Sequence, residues 1–90
     1  MSSQFQDRQG KPLSLALYMY DSCAYCQRVL AAMRSLGFDI PLRNIRKDPS
    51  ALAELVQTGG SRQVPCLFVN GQPLYESADI IRYLQTEVRR

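Results

Sequence analysis

Cys23-Ala24-Tyr25-Cys26 sets two thiols three residues apart. At the start of a helix that spacing brings the sulfurs near enough to join, and the first one meets unsatisfied backbone N–H groups that favour a thiolate. Cys23 is therefore the candidate nucleophile, and Cys26, almost one turn on and more sheltered, the candidate resolving thiol. Two other readings use the same residues: a metal site and a pair of inert buried cysteines. Tetrahedral zinc wants four ligands. The chain has no histidine and only Cys66 as a further sulfur, so it would need a carboxylate or a second subunit to complete an ordinary site. The spacing alone does not separate exchange chemistry from burial. Three cysteines do argue against a disulfide-stapled scaffold, which carries an even and larger number.

A thiol pair of this kind needs a strand-to-helix junction, and the surrounding pattern predicts one. Leu13 to Tyr20 is a nearly continuous apolar segment, the mark of a strand covered on both faces. From Ala24 the spacing changes to Cys26, Val29, Leu30, Met33 and Leu36, a helical stripe that Gly37 stops. A second strand is expected within 39–46, with Ile40, Leu42 and Asn44 on one side and Pro41 favouring a sheet edge. Asp48-Pro49-Ser50 reads as a cap with proline in the first turn of a short helix, whose apolar side is Leu52, Leu55 and Val56 and whose end is Thr58-Gly59-Gly60-Ser61. Val64 to Val69, Asn70-Gly71 and Gln72 to Tyr75 read as strand, type I′ turn, strand. Ser77 is expected to cap a last helix with Asp79 in its first turn, Ile80, Ile81, Leu84 and Val88 inward, and Arg89-Arg90 at its end. Met33, Phe38 and Phe68 are assigned to the core.

The predicted order is βαβ-α-ββα, an α/β fold with a four-stranded mixed sheet and helices on both faces. Its first two strands are parallel through a right-handed crossover, and the hairpin adds an antiparallel pair. Residues 1–12 show no periodicity and are expected to form a flexible extension to one domain over 13–90. With 46% apolar and 21% charged residues in 90, a second domain or a disordered chain is excluded. A net charge of +3 suits a small anionic ligand and falls short of a nucleic-acid footprint. The run from Leu13 is about half of what a membrane span needs. It leads into Asp21-Ser22-Cys23 rather than a small-residue cleavage site, so a reducing, cytoplasmic setting is expected.

Over about residues 13–88 the chain resembles a glutaredoxin of the thioredoxin fold, and its second half resembles the N-terminal domain of glutathione transferases. The resemblance rests on three segments: Tyr18-x-x-x-x-Cys23-x-Tyr25-Cys26 after a strand, Val64-Pro65 opening the third strand, and Tyr75 to Leu84 at the last helix. It implies a glutathione-dependent thiol–disulfide oxidoreductase, a monomer acting on glutathionylated or disulfide-containing proteins. It also implies a cis Pro65 beside the cysteines and a Val64 backbone that holds the cysteinyl part of glutathione in strand fashion. Glu76 and Ser77 match the pair that receives the γ-glutamyl end, with Asp79 assisting at the ammonium. The same Ser77 and Asp79 would equally cap and charge a helix. Tyr25 is implied as a wall of the site, with packing of the first turn as its other use.

Several positions depart from the family pattern. Tyr20 stands where a lysine is usual, Gln63 where a threonine is usual, and Tyr75-Glu76 where ordinary glutaredoxins have Gly-Gly. Arg62, in the loop before Gln63, is a candidate for the glycyl carboxylate. Ala24 replaces a proline, which relaxes the turn and resembles relatives that bind a [2Fe–2S] cluster between two subunits through the first cysteine, here Cys23. Iron–sulfur carriage is thus the alternative function, and a reductant served by a reductase is a third. Conjugating transferase activity is not expected, because these residues include no helical domain for a second substrate. Cys66, directly after Pro65, is expected to be a small buried residue, with regulatory oxidation as its other use.

Overall fold

The computed structural model describes residues 5–90. Three helices and six strands follow in the order β1 (Phe5–Gln6), β2 (Pro12–Leu13), β3 (Leu15–Met19), α1 (Ala24–Leu36), β4 (Leu42–Asn44), α2 (Pro49–Gly59), β5 (Cys66–Val69), β6 (Gln72–Tyr75) and α3 (Ser77–Glu87). The main sheet runs β4-β3-β5-β6. β3 and β4 are parallel, with Leu17 opposite Leu42, and the other two pairings are antiparallel. The mixed four-stranded sheet predicted from the sequence is present.

The sheet separates two apolar layers. On one side Leu15, Leu17, Met19 and Leu67 pack with Cys26, Val29 and Met33 of α1 and Ile80 and Leu84 of α3. On the other, Tyr18 and Cys66 pack with Ala51 and Leu55 of α2. Helices therefore cover both faces. Alternation along β3 sends Leu17 to the first layer and Tyr18 to the second. Arg43 of β4 binds both Asp48 at 3.2 Å and Glu54 at 2.6 Å, and the Tyr18 hydroxyl donates to Glu54 at 2.8 Å, which ties α2 to the sheet.

Helix ends follow the predicted chemistry at α1 and α2. Gly37 closes α1 in the left-handed region at φ 71°, and the Asp48 side chain accepts from the Ser50 amide at the start of α2. Asn70 and Gly71, at φ 51° and 82°, make the β5–β6 turn with two positive φ values, as a type I′ turn requires.

Four expectations are corrected. The loose segment expected over 1–12 is folded from residue 5: β1 and β2 pair antiparallel, and Phe5 is 4% exposed, edge-on to the Phe38 ring with centroids 5.4 Å apart. Residues 1–4 of that segment lie outside the described residues. The second strand is short, and its Leu42 is exposed, because the inward position is taken by Ile40 just before the strand. In α2 the buried residues are Ala51 and Leu55, whereas Val56 is exposed, since only one narrow stripe of this helix meets the sheet. The last helix ends at Glu87. Val88 to Arg90 leave it, Arg89 exchanging backbone hydrogen bonds with Gln6 at 2.8 Å and Arg90 reaching the Gly37 carbonyl, so these arginines serve as a clasp rather than a helix end.

Candidate active site

Cys23 is the N-cap of α1, in an extended conformation, and its sulfur accepts the Cys26 amide at 3.2 Å. That hydrogen bond fixes the Cys23 side chain at the start of the helix. Cys23 is buried at 7% exposure, and Cys26 is wholly buried one turn on. Burial pushes the Cys26 thiol up to about 12, and the hydrogen bond it shares with Cys23 adds to the effect. The pair is thus asymmetric: the Cys23 sulfur accepts an N–H, and Cys26 is held as a thiol.

Val64-Pro65 is a cis peptide. Val64 precedes β5 and packs partly buried against both apolar layers, including the one that holds Cys23 and Cys26. Among the described residues its backbone N–H and C=O have no hydrogen-bond partner. Pro65 is buried. The loop that leads here is joined to the start of α3: Gln63 Nε2 donates to Glu76 Oε1 at 3.1 Å.

Glu76, not Ser77, is the N-cap of α3, and it makes no side-chain cap. This corrects the sequence reading. Glu76 sits at φ 72° and ψ 119°, a region that side-chain-bearing residues rarely occupy. The conformation turns the chain abruptly from β6 into α3, so that Ser77 opens the helix with Asp79 in its first turn. Amides of that first turn are unsatisfied donors. Asp79 is exposed and paired to Arg82 at 3.6 Å, an ordinary surface pair one turn apart.

Cys23, Cys26 and Val64 are therefore gathered on one apolar layer, with Gln63 and Glu76 linked beside Val64. Tyr25 is 59% exposed with the Arg28 guanidinium 5.4 Å from its ring centre, which removes first-turn packing as its use. Arg62 is exposed, and no contact among the described residues joins it to the others. Cys66 faces the opposite layer against Tyr18 and Leu55, with the sheet between it and the thiol pair. Sequence reasoning missed Arg46 and Lys47. These come from the β4–α2 connection and hold the loop Tyr20 to Ser22 ahead of Cys23. Only their distance in sequence hid them, since a parallel strand pair puts the ends of β3 and β4 side by side.

Comparison with known proteins agrees with this geometry. The glutaredoxin family model matches residues 15–74. No curated protein matches the chain. Among solved structures, the holo form of glutaredoxin C1 from Populus tremula x tremuloides superposes with a TM-score of 0.64 at 17% identity, covering 80% of this chain and 74% of that one. A delta-class glutathione transferase from Nilaparvata lugens gives 0.65 at 30% identity over 78% of this chain and 34% of its own. A glutathione transferase homolog from Drosophila mojavensis, with bound glutathione, gives 0.68 at 18% identity over 80% and 34%. The chain thus spans about a third of the length of these transferases. With a thiol pair at a strand-to-helix junction, a cis peptide at Val64-Pro65 and a family match over two thirds of its length, this thioredoxin-like chain belongs to the glutaredoxin family, the thiol oxidoreductases.

Proposed function

We propose that this protein is a glutathione-dependent thiol–disulfide oxidoreductase of the cytoplasm that works as a monomer on glutathionylated and disulfide-containing proteins. The observation that carries the reading is the Cys26 amide donated to Cys23 Sγ at the start of α1. The Cys23 thiolate attacks the glutathionyl sulfur of a mixed disulfide. A bond forms between Cys23 and that sulfur, the old S–S bond breaks, and the electron pair leaves on the protein thiolate, which takes a proton from solvent. A second glutathione thiolate then attacks the same sulfur, releasing Cys23 and glutathione disulfide. Cys26 has no part in this cycle. It enters only when Cys23 is joined to a protein sulfur, attacking Cys23 to release the second protein thiol and close the Cys23–Cys26 disulfide.

The ligand assignment follows the same geometry. The Val64 backbone takes the cysteinyl peptide in strand fashion beside Cys23, with Pro65 shaping the approach. The γ-glutamyl carboxylate meets Ser77 and the first amides of α3, and Glu76 accepts from its ammonium. Gln63, bonded to Glu76, aligns the two halves. Tyr25 walls the open side, and Arg62 is the candidate cation for the glycyl carboxylate. Asp79, engaged by Arg82, contributes field rather than contact.

The iron–sulfur alternative rests on the donors this chain can offer. Among the described residues no group of three or more His, Cys, Asp or Glu side chains is gathered for a metal, and Cys26 is wholly buried. One chain offers Cys23 alone, so a cluster of four thiolates would have to be shared between two subunits with glutathione as co-ligand, and a colourless monomer after anaerobic reconstitution would count against it.

The test pairs two variants. Cys23→Ser is expected to abolish removal of glutathione from a glutathionylated protein, whereas Cys26→Ser keeps that activity within a few-fold and loses reduction of a protein disulfide. Retained deglutathionylation in Cys23→Ser would sink the assignment of roles. Titration of the reduced protein with glutathione should move the amides of Val64, Glu76 and Ser77, and their silence would remove glutathione from the reading.

A further inference from the structure

The β4–α2 connection is built to reach the nucleophile loop. The Ile45 amide donates to the Met19 carbonyl at 2.9 Å, carrying the parallel pairing one residue beyond β4. Asn44 Oδ1 then accepts the amides of Arg46 and Lys47 at 3.0 and 3.2 Å, and the Asn44 carbonyl accepts Asp48 N–H at 2.9 Å. Such side-chain-to-backbone bonds fix a turn. From that turn Lys47 pairs with Asp21 at 3.1 Å, so those two charges offset each other. The Arg46 guanidinium lies over the Tyr20 ring, its carbon 3.7 Å from the ring centre, with Nη1 donating to Ser22 Oγ at 3.2 Å. Among the described residues no carboxylate pairs with Arg46. An uncompensated, oriented positive charge therefore borders the loop one residue ahead of Cys23. Stacking and the bond to Ser22 hold it there, which a freely solvated arginine would not require.

We propose that Arg46 determines specificity in the exchange step, favouring disulfides that carry a carboxylate close to the sulfur Cys23 attacks. The step itself is balanced. Cys23 Sγ forms a bond to one sulfur of the disulfide, the original S–S bond breaks, and its electron pair departs on the leaving thiolate, which is protonated by solvent. Arg46 does not enter the bonds being made. It raises the encounter and capture of an anionic disulfide and opposes a cationic one, over a range set by ionic screening. The inference rests on Cys23 as the nucleophile and is independent of whether glutathione is the natural ligand.

The experiment uses pre-reduced protein carrying Cys26→Ser, so that the mixed disulfide at Cys23 accumulates without any added reductant. Its rate of formation is followed by mass spectrometry with three small disulfides of similar size, dithiodiglycolate (anionic), bis(2-hydroxyethyl) disulfide (neutral) and cystamine (cationic). With Arg46 present the anionic disulfide is expected to react fastest and the cationic one slowest, and the spread to shrink at 0.5 M salt. Adding Arg46→Met should lower the anionic-to-cationic rate ratio by about tenfold, on the order of threefold on each side for a single partly solvated charge. Arg46→Lys, which keeps charge and loses the guanidinium over the Tyr20 ring, should retain part of the preference. An unchanged ratio in Arg46→Met, or an equal slowing of all three disulfides, overturns the proposal and leaves Arg46 as a prop for the loop. Absence of any adduct at Cys23 would instead overturn the nucleophile assignment, and the glutathione titration would stand apart from both.

Discussion

Cys26 and Cys66 are weak acids for the same reason, although they face opposite layers of the sheet. Burial pushes Cys26 up to about 12 and Cys66 up to about 11, from an ordinary value of 9.0. A thiol whose folded pKa is raised binds its proton more tightly in the native state. Its contribution to stability is therefore complete below pH 9 and is lost as pH rises towards 11 or 12. For Cys66 alone the loss between pH 8 and pH 10.5 should be on the order of 1–2 kcal/mol. Urea denaturation of the reduced protein at the two pH values should show this decline, and Cys66→Val should remove its share of the slope. A slope unaltered by Cys66→Val would mean that the thiol ionises in place. The spacing of Cys23 and Cys26 marked the candidate pair in the sequence, and the structure puts Cys23 at the helix N-cap as that spacing predicts. The contact of Arg46 with Tyr20 and Ser22 was not legible, because nothing local marks a residue that meets another loop across a parallel strand pair.

At the scale of elements, periodicity located the three helices and the hairpin, since each buries a stripe or alternation that a chain statistic can see. It failed where the apolar signal was a single residue. Phe5 is one aromatic in a polar stretch, and its burial depends on Phe38, 33 residues on by number, and on pairing with Leu13. Removing such a side chain leaves a cavity that small strands do not collapse to fill. Phe5→Ala is expected to cost about 3 kcal/mol, read from the urea midpoint at constant m-value. A cost under about 0.5 kcal/mol would return β1 to the status of a loose appendage. The error at the start of α3 has a different origin. Ser77 looked like a cap because serine usually is one, yet the cap position is occupied by Glu76, whose φ of 72° no composition rule anticipates.

For the whole molecule, the two chain ends close on each other. Gln6 and Arg89 exchange both backbone hydrogen bonds at 2.8 Å, Arg90 reaches Gly37 at the end of α1, and Val88 is buried. The clasp joins β1, α1 and α3 at one end of the fold. Deleting residues 88–90 is therefore expected to speed amide exchange at Gln6 and Gly37 well before it speeds exchange in β3 and β5, because local opening draws on the least supported contacts first. Uniform acceleration throughout would show instead that the clasp belongs to the global unit. Of the described residues, no helix is long and apolar enough to cross a membrane. The general architecture was readable because each layer is filled by residues at regular spacing, whereas the clasp joins positions more than eighty apart and left no pattern to read.

Glu76 has a further consequence for anyone who sets out to improve this protein. Its backbone holds an L-residue where glycine would rest without penalty, a cost of order 1–3 kcal/mol that the surrounding fold absorbs. Selection for heat resistance alone would drift towards Glu76→Gly, gaining stability while discarding the carboxylate that Gln63 grips. A library screened first for survival and then for thiol exchange should recover that trade, hardy but ligand-blind clones enriched in the first round and depleted in the second.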